Sequence, residues 1–157
     1  MLNKKIKNAT QSQVDNIKFK SVLEGLIYRT FKDAGFDIKY EPIKFVIWKG
    51  FYPTVPFYDK DSKTGLIKLA KKKLMNITYT PDFCFNYNHM LVIVEAKGYP
   101  NDCFALKKKL FRGYLEQLEQ PVIYFELYSK KQALEAIKII KEYDNNTENK
   151  GESEMSS

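Results

Sequence analysis

The stretch from residue 77 to residue 98, which reads ITYTPDFCFNYNHMLVIVEAKG, most constrains what this chain can fold into. It holds two β-type runs, residues 78–85 and 90–97, separated by a polar turn at residues 86–89. Two such runs joined by a short polar turn predict a β-hairpin. The second run is apolar as far as Val94, which indicates a buried strand at the centre of a sheet.

The apolar strand ends in charge. Side chains two apart in a strand point to the same side, so Glu95 and Lys97 are predicted to project together and Ala96 away from them. The hairpin brings Asp82 back towards Glu95. Two neighbouring carboxylates repel each other unless a cation lies between them.

This constellation predicts a metal site. Carboxylate oxygens are hard ligands suited to Mg²⁺ or Mn²⁺, so Asp82 and Glu95 are candidate ligands, with the Ala96 carbonyl as a further oxygen. Lys97 is placed to orient a metal-bound water or to stabilise charge on a phosphate, which is the chemistry of phosphodiester hydrolysis. The alternative is a hairpin whose end carries an ordinary Glu–Lys pair, and such exposed pairs contribute little.

The motif Pro81-Asp82, twelve residues, Glu95-Ala96-Lys97 resembles that of the PD-(D/E)xK nuclease superfamily. A longer pattern is similar to the endonuclease-I family of phage Holliday junction resolvases. This pattern comprises Ser21 and Glu24, then Tyr40-Glu41, then Tyr79-Thr80-Pro81-Asp82-Phe83, and then Glu95-Ala96-Lys97-Gly98.

The resemblance covers about residues 20–98 and implies a restriction-endonuclease-like core. It implies that Glu24, on a helix before the sheet, joins Asp82 and Glu95 as a catalytic acid and metal ligand, with one or two ions per site. It also implies branched DNA as substrate and a homodimer. The basic insertion at about residues 49–76 departs from the family pattern, which passes more directly between these elements.

Helical periodicity at residues 19–34, 102–120 and 130–143, with strand patterns at 36–48 and 121–127, predicts an α/β fold: a central mixed β-sheet flanked by helices. We expect residues 1–18 to be a flexible N-terminal arm and residues 19–143 to form one nuclease domain with the insertion. Residues 144–157 are expected to be a disordered acidic tail.

The net charge of +7 points to a polyanionic partner. Residues 144–157 hold four acids and one lysine, a balance of −3, so residues 1–143 carry +10. A merely lysine-rich protein is the alternative. Lys107 lies on the apolar line of its helix, either snorkelling or aimed into the cleft. The predicted DNA-contacting residues are Lys20, Lys71, Lys72, Lys73, Lys107, Lys109 and Arg112.

Two cysteines without a CxxC motif indicate a reducing compartment. No apolar run is long enough to span a bilayer and no signal-peptide core is present, so we expect no membrane partner and a cytoplasmic location in a bacterial or phage-infected cell.

The leading hypothesis is therefore a divalent-metal-dependent DNA endonuclease acting on duplex or branched DNA. A non-catalytic nucleic-acid-binding protein that retains the nuclease fold is the alternative. A structural domain of a virion or packaging machine is a third.

Overall fold

The computed structural model describes residues 11–98 and 102–154, with the side chains of residues 11–98 and 104–143. The described residues contain ten strands and three helices, and seven of the strands follow one another between the first and second helices. In chain order they are β1 (Ser12–Val14), β2 (Ile17–Phe19), α1 (Val22–Asp33), β3 (Lys39–Tyr40), β4 (Phe45–Trp48), β5 (Tyr58–Lys60), β6 (Ile67–Leu69), β7 (Ile77–Tyr79), β8 (Phe83–Tyr87), β9 (Met90–Ala96), α2 (Asp102–Leu115), β10 (Val122–Leu127) and α3 (Lys130–Glu154).

The central sheet has the strand order β10-β9-β8-β3. Strand β9 runs parallel to β10 and antiparallel to β8, so the sheet is mixed. All residues of β9 up to Glu95 are buried, as its continuous apolar sequence requires. The predicted α/β class, with a mixed sheet flanked by helices, is confirmed.

The two faces of β9 supply two separate cores, because its side chains alternate across the sheet. Val92 and Val94 pack in the cluster that includes residues of α1 and α3. Leu91 and Ile93 pack in a second cluster, with Phe111 of α2 and residues of the small β4–β7 sheet. Glu95 follows Ile93 by two residues and therefore faces the α2 side.

The start of the described chain differs from the expected arm. Residues 12–19 form the antiparallel hairpin β1–β2, and Phe19 at its end is buried rather than being the first residue of the helix. Helix α1 begins at Val22 because Ser21 caps it, accepting a hydrogen bond from the Glu24 N–H. Residues 1–10 of the predicted arm lie outside the described residues.

Pro81 divides the predicted first run of the hairpin. The part before Pro81, strand β7, pairs with β4 in a separate two-stranded sheet. The part after it, strand β8, pairs with β9 as predicted. Proline has no N–H to give to a ladder, which explains the division. The turn itself is tighter than predicted: Tyr87 pairs with Met90, and Asn88 takes a positive φ of 52°.

Three other expectations differ from the structure. The insertion at residues 49–76, in which no strand was predicted, contains the antiparallel pair β5–β6. Helix α2 ends at Leu115, where a tighter turn follows, in which the N–H of Gln117 bonds to the carbonyl of Tyr114. Helix α3 continues to Glu154, through most of the segment expected to be a disordered tail. Residues 155–157 lie outside the described residues.

Candidate active site

The register of the hairpin places Asp82 beside the end of β9. Phe83 pairs with Val94, so Pro81 lies opposite Ala96. The N–H groups of Leu91 and Lys97 donate to β10 and the loop before it, which leaves the N–H of Ala96 directed towards β8. There the Asp82 carboxylate accepts it, with 2.8 Å between N and Oδ2. The side chain of Asp82 thus replaces a backbone partner at the point where the ladder stops.

Glu95 links the other two charged groups. Its Oε2 lies 3.3 Å from the backbone N of Asp82, which donates to it. Its Oε1 accepts a hydrogen bond of 2.9 Å from the Lys97 Nζ. Only 8% of Glu95 is exposed. The three side chains predicted to converge at the end of β9 are therefore together, largely removed from water.

The negative charges of Asp82 and Glu95 are unfavourable together unless a cation binds between them. Burial, followed by the negative charge of Glu95 and more weakly that of Glu24, raises the pKa of Asp82 to about 8, against the lowering effect of the Ala96 N–H and Lys97. Asp82 is thus held where ionisation is costly. A bound cation would favour the ionised form.

Lys97 is held from two sides. Besides Glu95, its Nζ lies 3.0 Å from the centroid of the Phe104 ring on α2, close enough for a cation–π contact. Its side chain is only 10% exposed. The ammonium is therefore fixed at the edge of the carboxylate pair and does not extend into solvent.

Glu24 is buried near these groups and has a structural task of its own. It forms a capping box with Ser21, whose hydroxyl donates to Glu24 Oε1 at 3.0 Å. Glu24 Oε2 accepts from the backbone N of Lys20 at 3.0 Å and from the hydroxyl of Tyr40 at 2.8 Å. The contact between Tyr40 and Glu24 was not predicted from the sequence, although both residues belong to the pattern that is similar to the resolvase family.

The donor set fits a hard divalent ion in part. Within the described part of the chain, no three His, Cys, Asp or Glu side chains form a ready-made metal-binding group, so Glu24, Asp82 and Glu95 do not form one. Two carboxylates and a backbone oxygen remain. The Ala96 carbonyl points to the same side as its N–H, where Pro81 has no N–H to give. These oxygen donors are the type that Mg²⁺ and Mn²⁺ prefer.

Tyr79 is a candidate site residue that the sequence analysis did not single out. It is 7% exposed, and its buried hydroxyl makes no hydrogen bond of good geometry with the described residues. Burial, followed by the nearby charge of Glu95, raises the pKa of this hydroxyl. Its position two residues before Pro81, on the face shared with Glu95, was the available signal. A buried hydroxyl that makes no hydrogen bond of good geometry among the described residues and senses the charge of Glu95 makes Tyr79 a further candidate for the site.

Of the predicted DNA-contacting residues, Lys20 is the one close to the site. Its ammonium pairs with Glu41 and not with the Glu24 side chain. The hydrogen bond to Glu41 is the largest cause that raises the pKa of the Lys20 ammonium, and the charges of Glu41, Asp82 and Glu24 raise this pKa further. The backbone of Glu41, at a φ of 45°, donates its N–H to the Asp82 carbonyl at 2.8 Å.

The basic residues of α2 are distributed differently from the prediction. Lys107 and Lys109 are exposed. Lys108, which the sequence places towards solvent, forms a 2.7 Å ion pair with Glu126 of β10. Lys108 and Arg112 line a cleft of about 570 Å³ between α2 and β10. The three lysines at 71–73 are exposed within the insertion.

A family model described as "Protein of unknown function (DUF1064)" matches residues 4–131. The chain belongs to this family. The DUF1064 match includes every candidate site residue, from Lys20 to Arg112, together with the basic insertion. No curated protein and no solved structure matches the chain. Among the residues that the structure describes, no helix combines the length and apolar character needed to cross a membrane.

Proposed function

We propose that this DUF1064 protein is a divalent-metal-dependent DNA endonuclease of the PD-(D/E)xK class, with a restriction-endonuclease-like core. The observation that carries the proposal is the buried pairing of Asp82 with Glu95, together with Lys97 on Glu95. Glu95 accepts a hydrogen bond from the backbone of Asp82, and its charge acts on the Asp82 carboxyl. Two neighbouring carboxylates at the end of a buried strand are costly unless they serve a cation or a proton.

Asp82, Glu95 and the Ala96 carbonyl would hold one ion, and Glu24 lies near enough to add its charge. When bound, Mg²⁺ or Mn²⁺ supplies positive charge to the scissile phosphate. Lys97 orients the attacking water or stabilises the phosphate as its charge grows. Phe104 and Glu95 position the Lys97 ammonium for this task.

DNA is the proposed substrate because the body of the chain is basic. The likeness to phage resolvases makes a four-way junction, cut by a homodimer, the first structure to test. Plain duplex is the second, since nothing in the carboxylate site itself selects a branched shape.

A non-catalytic nucleic-acid-binding role is the second candidate, and one observation favours it. The Lys97 ammonium already occupies Glu95 Oε1, and the described residues offer no group of three acidic, His or Cys ligands. In that role the ion pair would neutralise Glu95 permanently, and the site would take up no metal.

Cleavage of labelled DNA tests the proposal. A four-way junction, a duplex and a single strand are each incubated with Mg²⁺, Mn²⁺ or EDTA, using wild type, Asp82→Asn and Glu95→Gln. The control is Asp37→Asn, an exposed acid that pairs only with Lys39 among the ion pairs found. We expect wild type and the control to cut in metal, and both site variants to bind without cutting.

Other outcomes assign the other roles. Equal cutting of all three DNAs keeps the nuclease and removes the junction preference. Binding without cutting in any metal replaces catalysis by the binding role. A protein that neither binds nor cuts DNA fits a structural domain.

A further inference from the structure

Residues 49–76, called the ribbon from here on, form two paired segments and not an irregular loop. These segments, residues 49–60 and 67–76, are called its legs. Hydrogen bonds join the legs at intervals: the N–H of Leu74 donates to the carbonyl of Phe51 at 2.9 Å, and that of Ala70 to Phe57 at 2.8 Å. Beyond these, β5 and β6 pair in register, with Tyr58 opposite Leu69. The ribbon therefore has its own backbone scaffold.

Local chemistry fixes both ends of the ribbon. At its base, the N–H of Gly50 donates to Asn76 Oδ1 at 2.8 Å, and any Cβ on Gly50 would collide with the backbone of Leu74. At its tip, the Asp61 carboxylate accepts from the N–H of Lys63 at 2.7 Å and pairs with Lys68 at 2.6 Å. Gly65 completes the turn with a φ of 72°.

The ribbon exposes large apolar side chains at a higher density than the rest of the described chain. It holds ten of the eighteen exposed large apolar side chains of the described residues. Single exposed apolar residues are ordinary, whereas a contiguous exposed group marks a binding surface. The ten are Phe51, Tyr52, Val55, Phe57, Tyr58, Leu66, Ile67, Leu69, Leu74 and Met75.

Strand pairing gathers part of this apolar surface on one face. Residues directly opposite in an antiparallel pair share a face, and so do residues two apart. Tyr58, Leu69 and Ile67 therefore lie on one side of β5–β6 together with Lys60. Asp59 and Lys68 lie on the other side. Ile67 is 76% exposed, so this apolar face is open to a partner.

Charge selects the occupant. The ribbon contains seven lysines and two aspartates, a net charge of +5. A second copy laid against it would bring another +5 to the same interface, whereas a polyanion would neutralise both the lysines and their mutual repulsion. Basic elements with apolar side chains bind DNA by neutralising phosphates and wedging the side chains between base steps.

We propose that the ribbon binds duplex DNA in a groove, inserting Leu66 and Ile67 between base pairs while its lysines contact the backbone. Two-stranded β-ribbons enter the grooves of DNA, and apolar wedges between base steps are inserted from the minor groove, so the minor groove is the proposed position. This inference rests on the proposed function only for DNA as the polyanion. It adds that the protein distorts the DNA it binds.

The legs connect the ribbon to the candidate site. They continue directly into β4 and β7, which pair with each other. Tyr79, the last residue of β7, stacks on Phe111 at 4.4 Å between ring centroids and comes three residues before Asp82. The position of Leu66 and Ile67, the proposed wedge, is thereby linked to the position of the carboxylates. DNA whose base pairs separate easily at the wedge would therefore be preferred at the candidate site.

Fluorescence of duplexes with a single 2-aminopurine tests the proposal, since this base brightens when it unstacks. Full-length wild type is titrated in EDTA onto duplexes that carry the probe at successive positions. Leu66→Gln with Ile67→Thr is compared with the control Leu134→Gln with Ile139→Thr, two exposed residues of α3. We expect a localised increase in fluorescence for wild type and the control. The ribbon variant is expected to lose it and to bind at least about tenfold more weakly.

Two results would overturn the inference. One is that wild type gives no fluorescence increase at any probe position, whether or not it binds the duplexes. The other is a ribbon variant that binds and brightens the probe as wild type does. If sedimentation shows a wild-type dimer that the ribbon substitutions dissociate while the DNA response is kept, the partner is a second copy. Fluorescence without metal-dependent cleavage retains the wedge and removes the nuclease, so the two proposals fail separately.

Discussion

Ala96 donates its backbone N–H to the Asp82 carboxylate over 2.8 Å, opposite a proline that has no N–H to return. The strand register therefore orients the acid, and the same missing donor leaves the Ala96 carbonyl available on that side. One Pro-Asp dipeptide thus ends a strand pairing and brings two candidate metal ligands together, the Asp82 carboxylate and the Ala96 carbonyl.

Asp82 makes the stability of the metal-free protein depend on pH. Its pKa rises from an ordinary 3.8 to about 8, so the folded state holds a proton that the unfolded chain releases. This contribution is fully present below pH 4 and is lost as pH rises to about 8. We expect the melting temperature in EDTA to fall across this window for wild type, and to fall less for Asp82→Asn.

Thermal unfolding from pH 4 to pH 9 checks this, with Asp37→Asn as the control that keeps the wild-type slope. Mg²⁺ should flatten the wild-type slope, because the ion binds the ionised carboxylate. Identical slopes for wild type and Asp82→Asn would show that Asp82 is not the group that titrates.

The hydroxyls of Tyr79, which is buried, and Tyr124, which is half-buried, have opposite expected effects on stability. Tyr79→Phe removes a hydroxyl without a good partner in the described chain and should raise the free energy of unfolding of the metal-free protein by about 1 kcal/mol. Tyr124→Phe removes a 3.2 Å hydrogen bond to Glu126 and should lower that free energy by about 1 kcal/mol.

Urea unfolding in EDTA measures both changes. In the cleavage assay, Tyr79→Phe should be slower than wild type, since the hydroxyl lies beside Glu95. A stabilised variant with undiminished cleavage would make Tyr79 a packing residue.

The sequence was sufficient for the centre of this structure. The apolar run 90–94 and the two-residue period beyond it placed Glu95 and Lys97 on one side, because strand periodicity is local. The turn then brought Asp82 alongside. These inferences needed only neighbouring residues.

Contacts between distant elements were beyond the same reasoning. The bond from Tyr40 to Glu24 joins β3 to α1, and the ion pair of Lys108 with Glu126 joins α2 to β10. No local pattern records either. The pair β5–β6 was missed for another reason: its residues are all exposed, so the alternation that marks a half-buried strand is absent.

Glu24 has a capping role that must be separated from any role with metal. Glu24→Ala leaves three donors without their acceptor and should cost about 2–3 kcal/mol of stability. Glu24→Gln keeps a side chain that capping boxes accept and should cost about 1 kcal/mol. If the Glu24 charge assists an ion, Glu24→Gln should also weaken Mg²⁺ binding.

Calorimetric titration of Mg²⁺ into wild type and Glu24→Gln decides this, with Glu41→Gln as a control for lost charge near Lys20. Equal Mg²⁺ affinities for wild type and Glu24→Gln would confine Glu24 to the cap.

Substitution of Lys97 distinguishes the proposed nuclease from the non-catalytic binding protein most sharply. Its ammonium competes with a metal ion for Glu95 Oε1, so Lys97→Met, which keeps a long side chain against Phe104, should bind Mn²⁺ more tightly than wild type. The same variant should lose DNA cleavage, because it lacks the lysine ammonium that orients water or stabilises the phosphate in the proposed mechanism. Titration of Mn²⁺ followed by electron paramagnetic resonance measures the first effect, and the junction and duplex assays the second. In a non-catalytic protein the lysine would serve only to neutralise Glu95. Lys97→Met would then lower the melting temperature by leaving a buried carboxylate unpaired, and added Mn²⁺ would not restore it.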